Sequence, residues 1–201
     1  MNRIVSQVLA LALVALVLSA CGGGKSSQQQ ANDLVNTGLQ QQVNGQVDLA
    51  AASYRAALKK DPQNKLAYFD LGTIDQAANR LNDAENDYRL ALGIDPNFED
   101  ALYNLAIVRT AAGYPADAIT LYRKVIDLDA NNAAAHLNLG LLLRASGSSQ
   151  EADAELKTAI LLDPTLAPRA TPAAEQTPAA EQTAATPATS GTAEPIATPN
   201  P

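Results

Sequence analysis

The chain has 201 residues, one Cys, one His, no Trp and a formal net charge of −7. An acidic chain with no basic run is a poor candidate for nucleic acid or for electrostatic attachment to anionic lipid, and a single Cys excludes an internal disulfide. What remains is room for one domain and a tail, with the Ala and Leu content expected of helices.

Arg3 supplies a thin positive start, Val8 to Leu18 is an unbroken run of apolar or small residues, and Ser19 and Ala20 precede Cys21. That is the layout of a secretory signal, its apolar run short for a membrane span. Gly24-Lys25-Ser26 ends like a phosphate-binding loop, but Ser19 stands where the first Gly of that loop must be, so no nucleotide site is expected. Leu18-Ser19-Ala20-Cys21 resembles the bacterial lipobox. The resemblance implies a signal peptide over residues 1–20, cleavage before Cys21 and a lipid on its thiol, which would account for an unpaired thiol outside the cytoplasm. Two or more acyl chains give stable anchoring. Gly22 follows the Cys where an Asp would resemble an inner-membrane retention signal, which tilts the expectation toward an outer membrane if there is one. Residues 21–30 read as a flexible tether.

A repeat follows. Asp61, Asp95, Asp129 and Asp163 recur at one interval; three precede Pro and Asp129 precedes Ala130, so they read as stops between helices. Gly38, Gly72, Ala106 and Gly140 form a second column at the same interval, Ala50, Ala84, Ala118 and Ala152 a third. Tyr54, Tyr88, Tyr122 and Leu156 form a fourth, and Ala57, Ala91, Val125 and Ala159 a fifth. Turn residues Asn44-Gly45, Asn79, Gly113 and Gly147 lie between the Gly and Ala columns. Each unit is helix, tight turn, helix, stop. The small columns let two helices approach, and the Tyr/Leu column fills the space beside them.

With these columns the chain resembles the tetratricopeptide-repeat family. The resemblance covers residues 31–166 and implies an all-α, right-handed superhelical solenoid of four helix-turn-helix units: 31–64, 65–98, 99–132 and 133–166. Two positions depart from it. The family's first large aromatic is here Leu34, Tyr68, Leu102 and His136, and its second is Gln41, Asp75, Arg109 and Leu143, which weakens the packing expectation there.

By the same resemblance the first helix of each unit lines a concave binding surface. Its residues would be Asn32, Val35, Asn36 and Leu39; Leu66, Phe69, Asp70 and Thr73; Asp100, Tyr103, Asn104 and Ile107; Ala134, Leu137, Asn138 and Leu141. The column Asn36, Asp70, Asn104, Asn138 could hold an extended peptide by its backbone, since an Asn amide offers an acceptor and two donors. Phe69, Tyr103 and Leu137 would add contact area. Asn is also common at this position in family members whether or not they bind anything. Members that grip a terminal carboxylate carry Lys and Arg in the groove; none stands here.

Residues 167–201 differ in kind. Ala, Pro and Thr dominate, TPAAEQ occurs twice in tandem, and repeated Pro blocks helix and sheet. A disordered C-terminal tail is expected. The chemistry of an enzyme is absent from this reading. His136 falls in a helix-packing column, Cys21 is committed to lipid, and the carboxylates lack the loop of a calcium site. No cofactor, metal or catalysis is expected. The reading is an exported, lipid-anchored module of the bacterial cell envelope that binds other proteins, as a pilotin-like or secretion-associated adaptor. A self-associating structural lipoprotein is the alternative. Leu161, Leu162 and the neighbouring Leu142 and Leu143 would form an uncapped apolar end on the fourth unit, fit for weak homodimerisation, with Leu166 folding over the patch as the rival explanation.

Overall fold

The computed structural model describes residues 24–170. Residues 1–23, which include the expected signal peptide and Cys21, and residues 171–201 lie outside the described residues. Helix α1 (Ser27–Val43) starts inside the segment read as a tether, so residues 27–30 are helical. The cause is a capping box: the Gln29 amide donates to the Ser26 hydroxyl (3.1 Å) and the Ser26 amide to the Gln29 side chain (2.9 Å). Lys25 adds an ion pair with Asp33 in the second turn of the helix.

Helices α2 (Val47–Lys60), α3 (Lys65–Ala77), α4 (Leu81–Ile94), α5 (Glu99–Ala111), α6 (Pro115–Leu128), α7 (Ala133–Ala145) and α8 (Ser149–Leu162) complete four helical hairpins stacked in a solenoid. Each hairpin turns on one residue in the left-handed region: Gly45, Asn79, Gly113 and Gly147. The next amide reaches back to the carbonyl five residues earlier, as Gln46 to Gln41 and Tyr114 to Arg109, both 2.8 Å. Each Asp stop leaves the helix in extended backbone, and its carboxylate accepts the amide two residues on. Asp61 to Gln63 and Asp95 to Asn97 span 3.0 Å, Asp129 to Asn131 2.9 Å and Asp163 to Thr165 3.0 Å. This Asx turn, rather than the following Pro, is common to all four stops, and it explains how Asp129-Ala130 breaks the helix unaided.

The small columns work as close-approach sites. A Cβ on Gly38 or Gly72 would lie 2.5 or 2.7 Å from the ring of Tyr54 or Tyr88, and one on Gly140 would lie 2.6 Å from Leu156. The buried tyrosines keep their hydroxyls satisfied. Tyr54 donates to Gln42 (3.0 Å) and Tyr88 to Gln76 (2.7 Å), and burial pushes both well above the usual tyrosine range.

The departures from the aromatic pattern turn out to be polar clasps. Gln41 accepts from Ser53 (2.7 Å), and Asp75 pairs with Arg80. Arg109 bridges back to Glu85 of the preceding unit (3.1 Å), pairs with Asp117 and stacks over Tyr114, 3.9 Å from the ring centre. In the fourth unit the position reverts to buried Leu143. His136 is buried in the packing column, its ring held between Glu155 (2.6 Å) and the Ala130 carbonyl (3.2 Å).

The C-terminal end differs from expectation. After Asp163 come a 3-10 turn (Pro164–Leu166) and a short helix α9 (Ala167–Ala170). The starts of α3, α5, α7 and α9 follow the repeat interval, so α9 is the first turn of an abbreviated fifth unit. Ala170 is 2% exposed and packs on Leu137, Leu156 and Ala159, with Leu141, Ile160 and Leu166 around them. Arg144 donates to the Ala170 carbonyl (2.9 Å). The tail therefore begins with four ordered residues, and the solenoid end is capped. Leu143 is buried instead of exposed, while Leu161 (73%) and Leu162 (38%) stay open to solvent. Among the described residues no helix is long and apolar enough to cross a membrane.

Candidate functional site

The expected inner face is carried by α1, α3, α5 and α7. On α1, Asn32, Asn36 and Leu39 are exposed, but Val35 is core. On α3, Leu66 is exposed, Phe69 and Thr73 are half-buried, and Asp70 is buried. On α5, Asp100 is exposed while Tyr103, Asn104 and Ile107 are half-buried. On α7, Ala134 is exposed and Asn138 and Leu141 are half-buried. Leu137 is 1% exposed because α9 closes over it, so the expectation that it contacts a ligand is corrected: it is a core residue of the capped end.

The aromatic residues gather in two places. Phe69 lies 5.8 Å from Tyr88 and 5.1 Å from Phe98, ring centre to ring centre, and Tyr103 meets Tyr122 edge-on at 5.6 Å. Phe98 was not singled out in the sequence. Its signal is that it precedes α5 where Asn64 and Asn132 precede α3 and α7. Those two asparagines cap their helices, whereas Phe98 makes no side-chain cap and completes the Phe69 shelf. Lys65 sits 4.8 Å over the Phe98 ring and is neutralised by Asp95 at 2.5 Å.

The amide column is less free than its spacing suggests. Asn138 donates to the Tyr103 hydroxyl (2.9 Å), and Asn104 and Asn138 offset part of the burial-driven rise in the pKa of Tyr88 and Tyr122. Asn138 thus caps a tyrosine of the unit before it. Asn32, one turn earlier on α1, accepts from Asn64 (3.0 Å). The Asn36 side chain has no hydrogen bond among the described residues.

Asp70 occupies the corresponding place in the second unit, facing Tyr54 of the first, and its charge helps to raise the Tyr54 pKa. It cannot repeat the contact its column mates make, because a carboxylate has no donor and the Tyr54 proton is already given to Gln42. Burial lifts the Asp70 carboxyl to about 6. Asp70 and Asp100 are the charged residues among those assigned to the inner face, so the surface is acidic. Among the described residues no group of three or more His, Cys, Asp or Glu could hold a metal ion.

Family models described as "Tetratricopeptide repeat" match residues 37–98 and 133–166, and one described as "TPR repeat" matches 116–147. No curated protein matches the chain. Solved structures do. MamA is 23% identical over 69% of this chain and 81% of its own, with a TM-score of 0.62. YrrB, titled a TPR protein with an unusual peptide-binding site, is 22% identical over 65% of this chain and 68% of its own, with a TM-score of 0.61. The first TPR of Spaghetti (RPAP3), solved with the HSP90 peptide SRMEEVD, is 23% identical over 60% of this chain and 95% of its own, with a TM-score of 0.58. Likeness at this identity is likeness of fold.

Proposed function

From the premise that the chain carries tetratricopeptide repeats over residues 37–98 and 116–166, we propose that it is a protein-interaction module that takes an extended segment of a partner protein along the inner face of α1, α3, α5 and α7. The observation that carries this reading is a face on which aromatic rings (Phe69, Tyr103), amides (Asn36, Asn104) and exposed Leu39 and Leu66 alternate. Aromatic area supplies anchoring and amides pair with a peptide backbone. Peptide-bound and peptide-binding relatives of this fold support it. Solenoids use such surfaces for extended ligands.

The module is held at a bacterial membrane by lipid on Cys21 and serves as an adaptor of the cell envelope, in secretion or in pilus or wall assembly. It acts by binding and without catalysis of its own. A photo-crosslinker placed at Leu66 or Tyr103 in intact membranes tests this reading. The expected product is a foreign protein joined to the chain at these positions and not from Ala154 on the outer helix α8. The same adducts from both faces would defeat it.

A second reading, self-association, is favoured by the exposure of Leu161 and Leu162 at the end of α8. An adduct between two copies of the chain from a crosslinker at Leu161 is its expected product.

A further inference from the structure

Asp70 is 8% exposed, and its carboxylate has no hydrogen bond or ion pair among the described residues. Its oxygens keep a narrow contact with solvent, since the fully buried unpartnered side-chain atom among the described residues is Arg109 Nε, but a largely buried, unpaired carboxylate is costly and no neighbouring side chain compensates it. The adjacent hydroxyl of Tyr54 is committed to Gln42, and that of Tyr88 to Gln76. The cation that approaches this shelf, Lys65, is taken by Asp95 and the Phe98 ring. Asn138, at the equivalent place in the fourth unit, donates to Tyr103, but a carboxylate has no donor to give, and the counterpart of Tyr103 one unit before Asp70 is Val35, which has no hydroxyl. No contact within the described fold therefore accounts for the acid.

We propose that Asp70 is the specificity-determining residue of the groove, a subsite for an Arg or Lys side chain of the bound segment, with Phe69 beside it as the surface on which the cation lies. This rests on the groove-binding reading above and names the chemistry of its partner. An arriving guanidinium supplies the donors the carboxylate lacks. Its weaker hydration and planar shape suit an aromatic neighbour, so Arg is preferred to Lys. Asp100, exposed one unit further along, extends the negative potential in the same direction. A segment ending in a free carboxylate, or rich in Asp and Glu, meets repulsion here.

The experiment is capture of a randomised heptapeptide pool on the immobilised full-length chain and on Asp70→Asn, with sequencing of what is retained. The wild type is expected to retain peptides enriched about tenfold in Arg or Lys at one position and depleted in Asp and Glu. Asp70→Asn loses that enrichment while still retaining peptides. Its melting temperature rises rather than falls, which separates loss of a ligand contact from damage to the fold. Retained peptides with no cationic preference, or a preference that survives in Asp70→Asn, overturn the subsite and leave groove binding standing. A pool retained no better than on blank resin overturns both.

Discussion

Asn138 donates its side-chain amide to the hydroxyl of Tyr103, 2.9 Å away, across the boundary between the third and fourth units. A residue placed on the binding face thus also joins two units of the solenoid. Asn36 has no such partner and is exposed. The two ends of one column therefore carry different burdens, and substituting them should have different consequences.

Asn138→Ala is expected to lower stability by about 1 kcal/mol, the usual net worth of one hydrogen bond, and Asn36→Ala by much less. A double-mutant cycle with Tyr103→Phe isolates the contact in urea unfolding, with a coupling of about 0.5–1.5 kcal/mol. Zero coupling would show that Asn138 is free to serve a ligand.

Gly72→Ala should destabilise the array by about 1–3 kcal/mol, because the new methyl would stand 2.7 Å from the Tyr88 ring and force the hairpin apart. The third unit already accommodates Ala106 against Tyr122, with both residues buried. Ala106→Gly should then cost only about 0.5–1 kcal/mol, the price of Gly within a helix. Denaturant midpoints of the two variants decide whether the column is set by ring contact or by helix propensity alone.

Much of this architecture was legible before any coordinates. The Gly and Ala columns, the turn residues and the Asp stops each express a local constraint of volume or backbone, and the constraint recurs at one interval. The cap was not read because Pro164 and Pro168 look like breakers, although the interval counted on from Ala133 falls on Ala167. Leu137 was misplaced for the same reason: its burial depends on α9. The tyrosine partners of Asn104 and Asn138 lie in other helices, and only packing reveals them. Asp70 was visible as the acid in an amide column, but its lack of a partner could not be seen until Tyr54 and Gln42 were in place.

The same carboxylate gives stability a pH dependence. Burial holds the Asp70 carboxyl at about 6 in the fold, against an ordinary value of 3.8. Tyr54 and Tyr88 are the titratable groups coupled to it. Well below the unfolded value of 3.8 the group is protonated in both folded and unfolded chains and costs nothing. As pH rises from about 4 to 6 the unfolded chain ionises first, so stability falls, by about 1–3 kcal/mol at neutral pH. Asp87 adds in the same direction. Burial and its neighbours Asp75 and Asp83 raise it to about 6, against the pull of Arg55. Asp70→Asn should stabilise the protein clearly at pH 7.5 and much less at pH 4, where most of the linkage has gone. Equal melting shifts at both pH values would contradict the assignment.

The anchor can be tested apart from the solenoid. Cys21→Ser should leave an unprocessed or soluble protein with the same helicity, because the proposed lipid attaches through the thiol. Fractionation with mass spectrometry of the N-terminus is the measurement. An unmodified Cys21 in membrane-bound wild type would refute the anchor.

The end of the solenoid offers the last test. Leu161 and Leu162 alone form a small patch beside the roughly 800 Å² per partner that a specific interface buries, so the full chain should associate only weakly, at high concentration. Pro164–Ala170 restrain it by covering Leu137, Leu156 and Ala159 and by engaging Arg144. The restraint has a counterpart inside the repeat. Where Tyr54 and Tyr88 give their hydroxyls to Gln42 and Gln76, the fourth unit has Leu156, with no hydroxyl, and Arg144 turns to the cap instead. A chain ending at Asp163 should therefore expose a continuous apolar end and dimerise firmly, with a lower melting temperature at low concentration. Leu161→Lys should weaken that dimer by at least tenfold. Sedimentation of both chains, with and without Leu161→Lys, measures this. If the chain ending at Asp163 stays monomeric and melts with the full-length protein, α9 is not a cap.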